Sequence, residues 1–292
     1  MPQSPYVIAL DVGGSSVKSG LVDSAQEVLH AAKTPINSQG TADEVFGAFA
    51  AIIRTHLQQV PAEEVLGAGY AFPDPFDYQS GIVLIKDQPK FNQVYGMNVR
   101  DETRQRLGLP NFPMLFRNDA EAAIIGEAKY GAGKPYRKLI GITLGTGLGS
   151  ALVENCQRVT EGEDIPPNGM LWHVPYLEGI ADDYFSTRGL LKCFEDAHIS
   201  VRNIAEASQR AESGEAVVQA VFAEFGAELG DFLSPYVDQF GAEAVVVLGG
   251  ITGAMPHFEQ TLHEAIGVPL HVGTRGMDAP LLGAAALLLP DH

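Results

Sequence analysis

Cysteine is scarce in this sequence. Only Cys156 and Cys193 occur among its 292 residues, and they form neither a CxxC pair nor a disulfide framework. Proteins of the reducing cytoplasm have this composition, so cytoplasm is the expected location. Residues 1–4 carry no positively charged segment and lead directly into a strand-like run. We therefore expect no signal peptide.

Positive charge and long hydrophobic runs are also lacking. Lys and Arg number 19 against 36 Asp and Glu, which gives a net charge of −17. A nucleic-acid surface needs clustered cations, so we expect no nucleic-acid partner. ATP is not excluded, since oriented backbone N–H groups and a metal can hold phosphates in an acidic protein. The most apolar stretch, residues 279–289, is too short and too rich in Gly and Ala to span a membrane.

Hydrophobic periodicity predicts a mixed α/β protein. The length of the chain suits one bilobal protein or two domains. Residues 86–96 are predicted to form an exposed loop and residues 160–179 an irregular segment. Apolar runs predict strands over 6–10, 17–22, 65–72, 113–116, 138–144, 150–153, 244–248 and 269–272. Helices are predicted over 42–59, 99–107, 120–129, 182–194, 204–211, 216–232, 255–266 and 279–289, the first behind the capping box Thr41–Glu44.

A glycine-rich turn joins the first two predicted strands. It contains Gly13, Gly14, Ser15 and Ser16, between Asp11 and Lys18. Because it links two strands, it is not a Walker loop. Glycines allow a phosphate to approach backbone N–H groups, the serines add donors, and Asp11 could hold a hydrated Mg²⁺. The alternative is a type I′ hairpin with polar decoration.

Two further glycine turns follow predicted strands. Gly145-Thr146-Gly147 lies between two strands and again leaves N–H groups open to a phosphate. Its glycine spacing and following strand differ from the dinucleotide-binding fingerprint, which excludes that function. Gly249-Gly250 follows a strand and opens a predicted helix, a geometry that points N–H groups at a ligand.

Asn118 and Asp119 lie between a predicted strand and a predicted helix. A carboxylate at this position can cap the helix and stay ionised. For an isolated Asn-Asp pair, an N-cap is the simpler interpretation of Asp119. The glycine turns on both sides favour a second interpretation, in which Asp119 is a catalytic base.

The order of these motifs resembles the ROK family of sugar kinases, and the resemblance extends over nearly the whole chain. It implies an actin-like, ribonuclease H-like fold of two α/β domains around a nucleotide and sugar cleft. The implied small domain comprises residues 1–117 with 280–292, and the large domain residues 118–279. The matching segments are residues 11–18, 118–127, 131–134, 144–149, 248–250 and 282–285.

The resemblance also implies ATP-dependent phosphorylation of a hexose hydroxyl. Asp119 would be the general base, Asn118 and Asp119 would bind the sugar, and Asp11 would hold Mg²⁺ through water. Dimers are common in the family, so the resemblance allows a homodimer, although nothing in the sequence decides the oligomeric state. The implied phosphate ligands are Gly13, Gly14, Ser15, Ser16, Lys18, Gly145, Thr146 and Gly147, with Gly249 and Gly250 near adenosine.

The segment around the family's histidine departs from its pattern. Met170 stands where the family has a sugar-binding glutamate, and the cysteines of the family's zinc loop are absent. We therefore expect no zinc site. His173 matches the family histidine and either binds the sugar or is packed. Asp182 stands where the family has a second sugar-binding glutamate, and Trp172 either stacks on a sugar or belongs to the core.

Three alternative functions remain open on the sequence. Met170 suggests a catalytically silent sugar-binding protein, although the retained Asp119 and glycine turns oppose it. Regulators of the same family carry a helix-turn-helix before the first glycine turn, for which we expect no room before Asp11. A polyphosphate-dependent kinase would favour a basic groove, which the net charge of −17 disfavours.

Overall fold

The structure is a computed structural model that describes residues 5–290. Residues 1–4, which carry the signal-peptide argument, and residues 291–292 lie outside the described residues. The strands are β1 Tyr6–Val12, β2 Ser16–Val22, β3 Val28–Pro35, β4 Val65–Phe72, β5 Phe76–Asp77, β6 Ile82–Val83, β7 Met114–Asn118, β8 Lys138–Leu144, β9 Leu148–Glu154, β10 Gln157–Val159, β11 Pro175–Tyr176, β12 Gly179–Ile180, β13 Ala244–Leu248 and β14 Leu270–Val272. The α-helices are α1 Ala42–Leu57, α2 Val99–Leu107, α3 Asp119–Tyr130, α4 Ala181–Tyr184, α5 Thr187–Asp196, α6 Ile204–Glu212, α7 Ala216–Phe240, α8 Glu259–Ile266 and α9 Ala279–Ala285.

The chain forms two compact units. One consists of Met1–Gly126 and Met277–His292, and the other of Glu127–Gly276. The domain boundaries expected from the sequence, after Arg117 and before Pro280, stay a prediction. Each unit has its own five-stranded sheet and its own hydrophobic core.

The first unit is built on the sheet β3-β2-β1-β4-β7. Strands β1 and β2 form the predicted antiparallel hairpin, and β4 and β7 extend the sheet in parallel with β1. The capping box predicted before α1 forms, since Thr41 and Glu44 bond each other's backbone N–H groups. Phe49 of α1 then packs on Tyr70 and Phe72 of β4, with ring centroids 6.0 and 6.3 Å apart. Burial of such aromatic side chains fixes the helix on the sheet.

The second unit repeats the same strand pattern. Its sheet has the order β10-β9-β8-β13-β14, with an antiparallel hairpin of β8 and β9 followed by parallel strands. The two sheets therefore share one strand pattern, in which an antiparallel hairpin precedes parallel strands. Phe222 and Phe232 of α7 pack on Phe194 and Phe185, with centroids 5.2 and 5.1 Å apart, and form much of the core.

Several predicted element boundaries were wrong. Residues 182–194 form two helices rather than one, because the Ser186 hydroxyl accepts a hydrogen bond from the Gly189 N–H and starts α5 anew. Residues 255–266 begin as a 3₁₀ segment, Gly250–His257, which contains Pro256 and precedes α8. Strands β3 and β10 were not predicted, and α7 continues past residue 232 through Pro235 to Phe240.

The segment 86–96 is largely the exposed loop that we predicted, and within it only Phe91 and Val94 are buried. Phe91 lies 5.3 Å from the ring of Phe72. Its backbone N–H donates to the Ser38 carbonyl at 2.7 Å. These two apolar side chains therefore anchor the loop to the core of the first unit.

Helix α9, whose sequence is rich in Gly and Ala, packs closely on its neighbours. A side chain on Gly69 of β4 would collide with the Ala284 carbonyl, and one on Gly283 would collide with the Ala122 carbonyl. The missing Cβ atoms let the backbones approach. Within residues 5–290, no helix combines the length and apolar character that crossing a membrane requires.

Candidate active site

The first glycine turn closes the β1–β2 hairpin. Asp11 pairs with Lys18 in the register, and the Gly13 N–H donates to the Ser16 carbonyl at 3.0 Å. Neither Gly14 nor Ser15 has the positive φ that a type I′ turn requires, so that alternative is wrong. The Gly14 and Ser15 carbonyls accept hydrogen bonds from the Ser38 hydroxyl and the Ile36 N–H, while both residues are exposed.

Asp11 is a mostly buried carboxylate at the base of this turn. Lys18 Nζ lies 3.3 Å from its Oδ2 atom. Burial raises the pKa of Asp11, the Lys18 ammonium opposes this rise, and the negative charge of Asp119 adds to it. Asp11, Lys18 and Asp119 therefore lie close enough to interact, and a cation would relieve the repulsion between the two carboxylates.

Asn118 and Asp119 lie at the junction of β7 and α3. Asn118 is buried and is the residue that caps the helix, because its Oδ1 atom accepts from the Glu121 N–H at 3.0 Å. Asp119 is the first residue of α3, and its Oδ1 atom accepts from the Ala120 N–H at 2.8 Å. The interpretation of Asp119 as the N-cap is therefore wrong. Its half-buried carboxylate lies at the helix N-terminus, where a negative charge is stabilised.

Asp74 and Tyr78 support Asn118 and were not selected as site residues from the sequence. The Asn118 amide donates to Asp74 Oδ2 at 2.8 Å and to the Tyr78 hydroxyl at 3.3 Å. The Tyr78 hydroxyl bonds Asp74 Oδ1 at 2.8 Å, and burial together with the Asp74 charge raises the pKa of Tyr78. The phenol is thus a permanent donor. The only signal for this network in the sequence is the motif Pro73-Asp74-Pro75, which marks a loop but not its partner.

The second glycine turn closes the β8–β9 hairpin. The Gly145 N–H donates to the Gly147 carbonyl at 3.1 Å, and Thr146 is exposed at the tip. Below the tip, the Gly149 N–H donates to Thr143 Oγ1 at 3.2 Å. The Gly145 carbonyl accepts from both the N–H and the hydroxyl of Thr187, each at 2.8 Å. The turn is thus held in one conformation from α5.

Asp182 also contacts this turn. Its Oδ1 atom accepts from the Leu148 N–H at 2.6 Å, and its Oδ2 atom lies 2.6 Å from Arg188 Nη2. Both carboxylate oxygens therefore have protein partners. The sugar-binding role expected for Asp182 stays a prediction. In the structure its oxygens bond Leu148 and Arg188 instead.

The third glycine turn lies beside the second in the same unit. Leu248 pairs with Thr143 across β13 and β8. Gly249 has a φ of 98°, and a side chain there would collide with the Leu144 backbone. The Gly249 carbonyl accepts from the Thr252 hydroxyl at 2.7 Å, and Gly250 opens a 3₁₀ segment rather than the predicted α-helix. The second unit thus brings Gly145–Gly147 and Gly249-Gly250 together at the ends of adjacent strands.

Trp172 and His173 form an aromatic pair in the irregular segment. Trp172 is 40% exposed, so it does not belong to the core. The His173 ring is half-buried, with its centroid 5.0 Å from that of Trp172. Among the described residues, the buried His173 Nδ1 atom has no hydrogen-bond partner. A ligand hydroxyl or water would satisfy it.

Neither cysteine lies in a group of metal ligands. Cys156 Sγ is 3.6 Å from the Ala128 carbonyl, and burial raises the pKa of Cys193 to about 11. Within residues 5–290, no three His, Cys, Asp or Glu side chains are grouped so as to hold a metal ion. The expectation of no zinc site stays a prediction.

Comparisons with known proteins agree on one family. The chain is 26% identical to a glucokinase from Thermotoga maritima over 97% of this chain and 96% of the relative. It is 31% identical to a polyphosphate glucokinase from Mycobacterium tuberculosis over 50% of this chain and 52% of that protein. The fold matches a ROK family glucokinase from Streptomyces griseus, solved with glucose and AMPPNP, with a TM-score of 0.73 and 22% identity over 97% of this chain and 99% of that one. The sequence model of the ROK family matches residues 7–289, and the chain therefore belongs to the ROK family.

Proposed function

We propose that this protein transfers the γ-phosphoryl group of ATP to a hydroxyl of a hexose-type sugar, with Asp119 as the general base. The observation that carries the proposal is that Asn118 caps α3 in place of Asp119. The Asp119 carboxylate is thereby left at a helix N-terminus, within interacting range of Asp11. A base that accepts the proton of the attacking hydroxyl is the one covalent task that phosphoryl transfer leaves to the protein.

The proposed sugar ligands in the first unit are Asn118 and Asp119. Asp74 and Tyr78 orient the Asn118 amide, which supports a role in presenting a fixed hydrogen-bonding group. In the second unit we propose His173 as a further sugar ligand, because its buried Nδ1 atom has no partner among the described residues. Exposed Trp172 beside it offers a ring face on which a sugar can stack.

The proposed phosphate ligands are the backbone N–H groups and side chains of the first two glycine turns. In the first turn these are Gly13, Gly14, Ser15 and Ser16, with Lys18 as a cation. In the second turn they are Gly145, Thr146 and Gly147, and Gly249-Gly250 would lie near adenosine. The AMPPNP complex of the Streptomyces griseus relative supports ATP as the donor.

We propose that Mg²⁺ binds beside Asp11 through water. The residues fit this ion, because the mostly buried Asp11 carboxylate feels the negative charge of Asp119 and has Lys18 as a partial counter-charge. When bound, Mg²⁺ neutralises the phosphate charge that develops during transfer. A cytoplasmic location, a homodimer and the lack of a nucleic-acid partner are proposed with it, the last because of the net charge of −17.

The test is a coupled ADP-release assay with Mg-ATP and a panel of hexoses, N-acetylated amino sugars and polyols. Asp119→Asn should lower kcat by about a thousandfold, as expected for loss of a general base, while AMPPNP binding is retained. Asp101→Asn is the matched control, since Asp101 also lies in the first turn of a helix that an asparagine caps. Turnover of Asp119→Asn at the wild-type rate would refute the assignment of the base.

A catalytically silent sugar-binding protein is the second candidate. Met170 provides no carboxylate, and the oxygens of Asp182 are already bonded within the protein, so the second unit offers a sugar fewer acidic ligands than its family pattern. This candidate predicts that a sugar binds while Mg-ATP does not. Phosphorylation of any sugar by the wild-type protein would rule it out.

A further inference from the structure

The segment 182–188 forms hydrogen bonds with both ends of the second glycine turn. Asp182 Oδ1 accepts from the Leu148 N–H at 2.6 Å on one side. On the other side, the Thr187 N–H and hydroxyl both donate to the Gly145 carbonyl at 2.8 Å. The tip of the turn therefore lies between two residues that bond it, Asp182 of α4 and Thr187 of α5, which are five residues apart in the chain.

Gly147 lies directly against the Asp182 carboxylate. A Cβ atom at this position would be 2.8 Å from Asp182 Oδ1, closer than such atoms approach each other. The glycine therefore leaves room for the carboxylate, and the carboxylate in turn limits how far Gly147 and Leu148 can move. The Leu148 N–H of the hairpin therefore points toward Asp182. The tip of the hairpin, at Thr146, stays exposed.

Arg188 compensates the charge of Asp182. Its Nη2 atom lies 2.6 Å from Asp182 Oδ2 and 2.9 Å from Asp183 Oδ1. Without this guanidinium, a carboxylate next to a phosphate-binding turn would repel the phosphates. The Asp182 side chain is only 18% exposed, so its bond with the Leu148 N–H is partly shielded from solvent, whereas Arg188 is exposed.

Asp182 is also tied to the aromatic pair. Its backbone N–H donates to the Trp172 carbonyl at 3.0 Å, one residue before His173. One residue thus joins the glycine turn through its side chain and the Trp172-His173 segment through its backbone. Of its two side-chain oxygens, Oδ1 bonds the turn and Oδ2 bonds Arg188.

We propose that Asp182 is a positioning residue that holds the Gly145–Leu148 turn in its nucleotide-binding conformation, and that it is not a ligand of the sugar. The proposal rests on the proposed function only in taking the turn as a phosphate site. In this chain the shorter aspartate has become part of the nucleotide side of the site, and recognition of the sugar from this position falls to Trp172 and His173.

The experiment measures Mg-AMPPNP and glucose binding separately by calorimetry, together with the unfolding temperature of each variant. Asp182→Ala should weaken AMPPNP binding by about tenfold, the value of a lost hydrogen bond to a charged group, and leave glucose binding within about twofold. Asp182→Asn keeps an acceptor for the Leu148 N–H and should restore AMPPNP binding to within about threefold of the wild type. A sugar ligand would behave in the opposite way, with glucose binding impaired in both variants.

Asp183→Asn is the matched control. Asp183 is a neighbouring carboxylate that shares Arg188, but it bonds the Ile180 N–H rather than the turn. Its variant should bind AMPPNP like the wild type. If Asp182→Ala does not fold, Thr187→Val serves instead, since it removes the hydroxyl bond to the Gly145 carbonyl and keeps the backbone bond. It should cost about fivefold in AMPPNP affinity, which Thr187→Ser should recover.

Three results would overturn the proposal. The first is unchanged AMPPNP affinity in folded Asp182→Ala or Thr187→Val, the second is selective loss of glucose binding, and the third is an equal loss for both ligands. Wild-type protein that binds AMPPNP but phosphorylates no sugar would refute the kinase proposal and leave this comparison intact. Wild-type protein that does not bind AMPPNP would refute both.

Discussion

Asn118 makes three hydrogen bonds that require an amide. Its oxygen accepts from the Glu121 N–H, whereas its nitrogen donates to Asp74 and to Tyr78. Aspartate could supply the acceptor but not the donor, and serine could not reach both sides. Asn118, the residue before Asp119, is therefore held in place by its side chain as well as by its backbone.

Substitution Asn118→Asp should destabilise the protein by about 3 kcal/mol at neutral pH, because it replaces the amide that donates to Asp74 with a second buried carboxylate. Urea unfolding of both proteins measures this difference. Asn98→Asp is the control, since Asn98 caps α2 in the same way but its amide donates to the Ser80 carbonyl rather than to a carboxylate. Equal losses in the two variants would contradict the argument.

At the scale of elements, His56 connects α1 to β2. Its Nε2 atom lies 2.9 Å from the Ser19 hydroxyl, and the ring is buried. Burial lowers the pKa of His56 below its ordinary value, with a smaller contribution from the nearby His30. The imidazole is therefore neutral in the folded protein at neutral pH.

This pKa shift predicts a loss of stability in acid. Below about pH 6.5 the unfolded chain protonates His56 before the folded protein does, so the free energy of unfolding falls by at most about 1.4 kcal/mol per pH unit. His56→Gln removes this titration and should show a shallower fall between pH 7 and pH 5 in urea unfolding. Exposed His198→Gln is the control. Parallel curves for His56→Gln and wild type would contradict the prediction.

The sequence predicted those elements that carry a clear apolar pattern. Strand Val65–Phe72 was predicted with its observed bounds because it is an apolar run whose last six residues are buried. Helix Val99–Leu107 was predicted with its observed bounds because Gly108 ends it. Strand β3 was missed, since most of its residues are exposed and it carries no apolar alternation. Its pairing with β2 depends on backbone hydrogen bonds, which leave no pattern in the side chains.

The candidate site was predicted in part for the same reason. Motifs such as Asn118-Asp119 and Gly145–Gly147 are local, so their spacing is visible in the sequence. The partners that hold them are not local: Asp74 meets Asn118, and Asp182 meets Leu148, only after folding. Glu127 is a third example, a fully buried carboxylate that accepts from the Ala132 and Arg275 N–H groups.

For the whole molecule, the excess of negative charge bears on the choice of phosphoryl donor. A net charge of −17 repels a long polyanion more strongly than it repels Mg-ATP, whose phosphates are few and partly neutralised. One of the relatives is nonetheless a polyphosphate glucokinase, with which the chain shares 31% identity over half its length. The donor is therefore a property to measure.

We expect Mg-ATP to support phosphorylation at least about tenfold better than polyphosphate at low ionic strength, with the gap narrowing as salt screens the repulsion. Sugar phosphate formation with each donor, at matched phosphoryl concentration and at low and physiological salt, measures this ratio. Polyphosphate turnover that equals ATP turnover at low salt would show that local cations outweigh the net charge.

The position of α9 in the first unit also affects the order in which the chain can fold during its synthesis. Residues 279–285 fill a position against β4 and α3 that glycines keep narrow, and they belong to the unit that otherwise ends at Gly126. On the ribosome, all of residues 127–276 emerge before α9 does. The second unit can therefore fold on the nascent chain while the first still lacks a helix. Until α9 arrives, the surface beside Gly69 that α9 covers in the folded protein stays open to water.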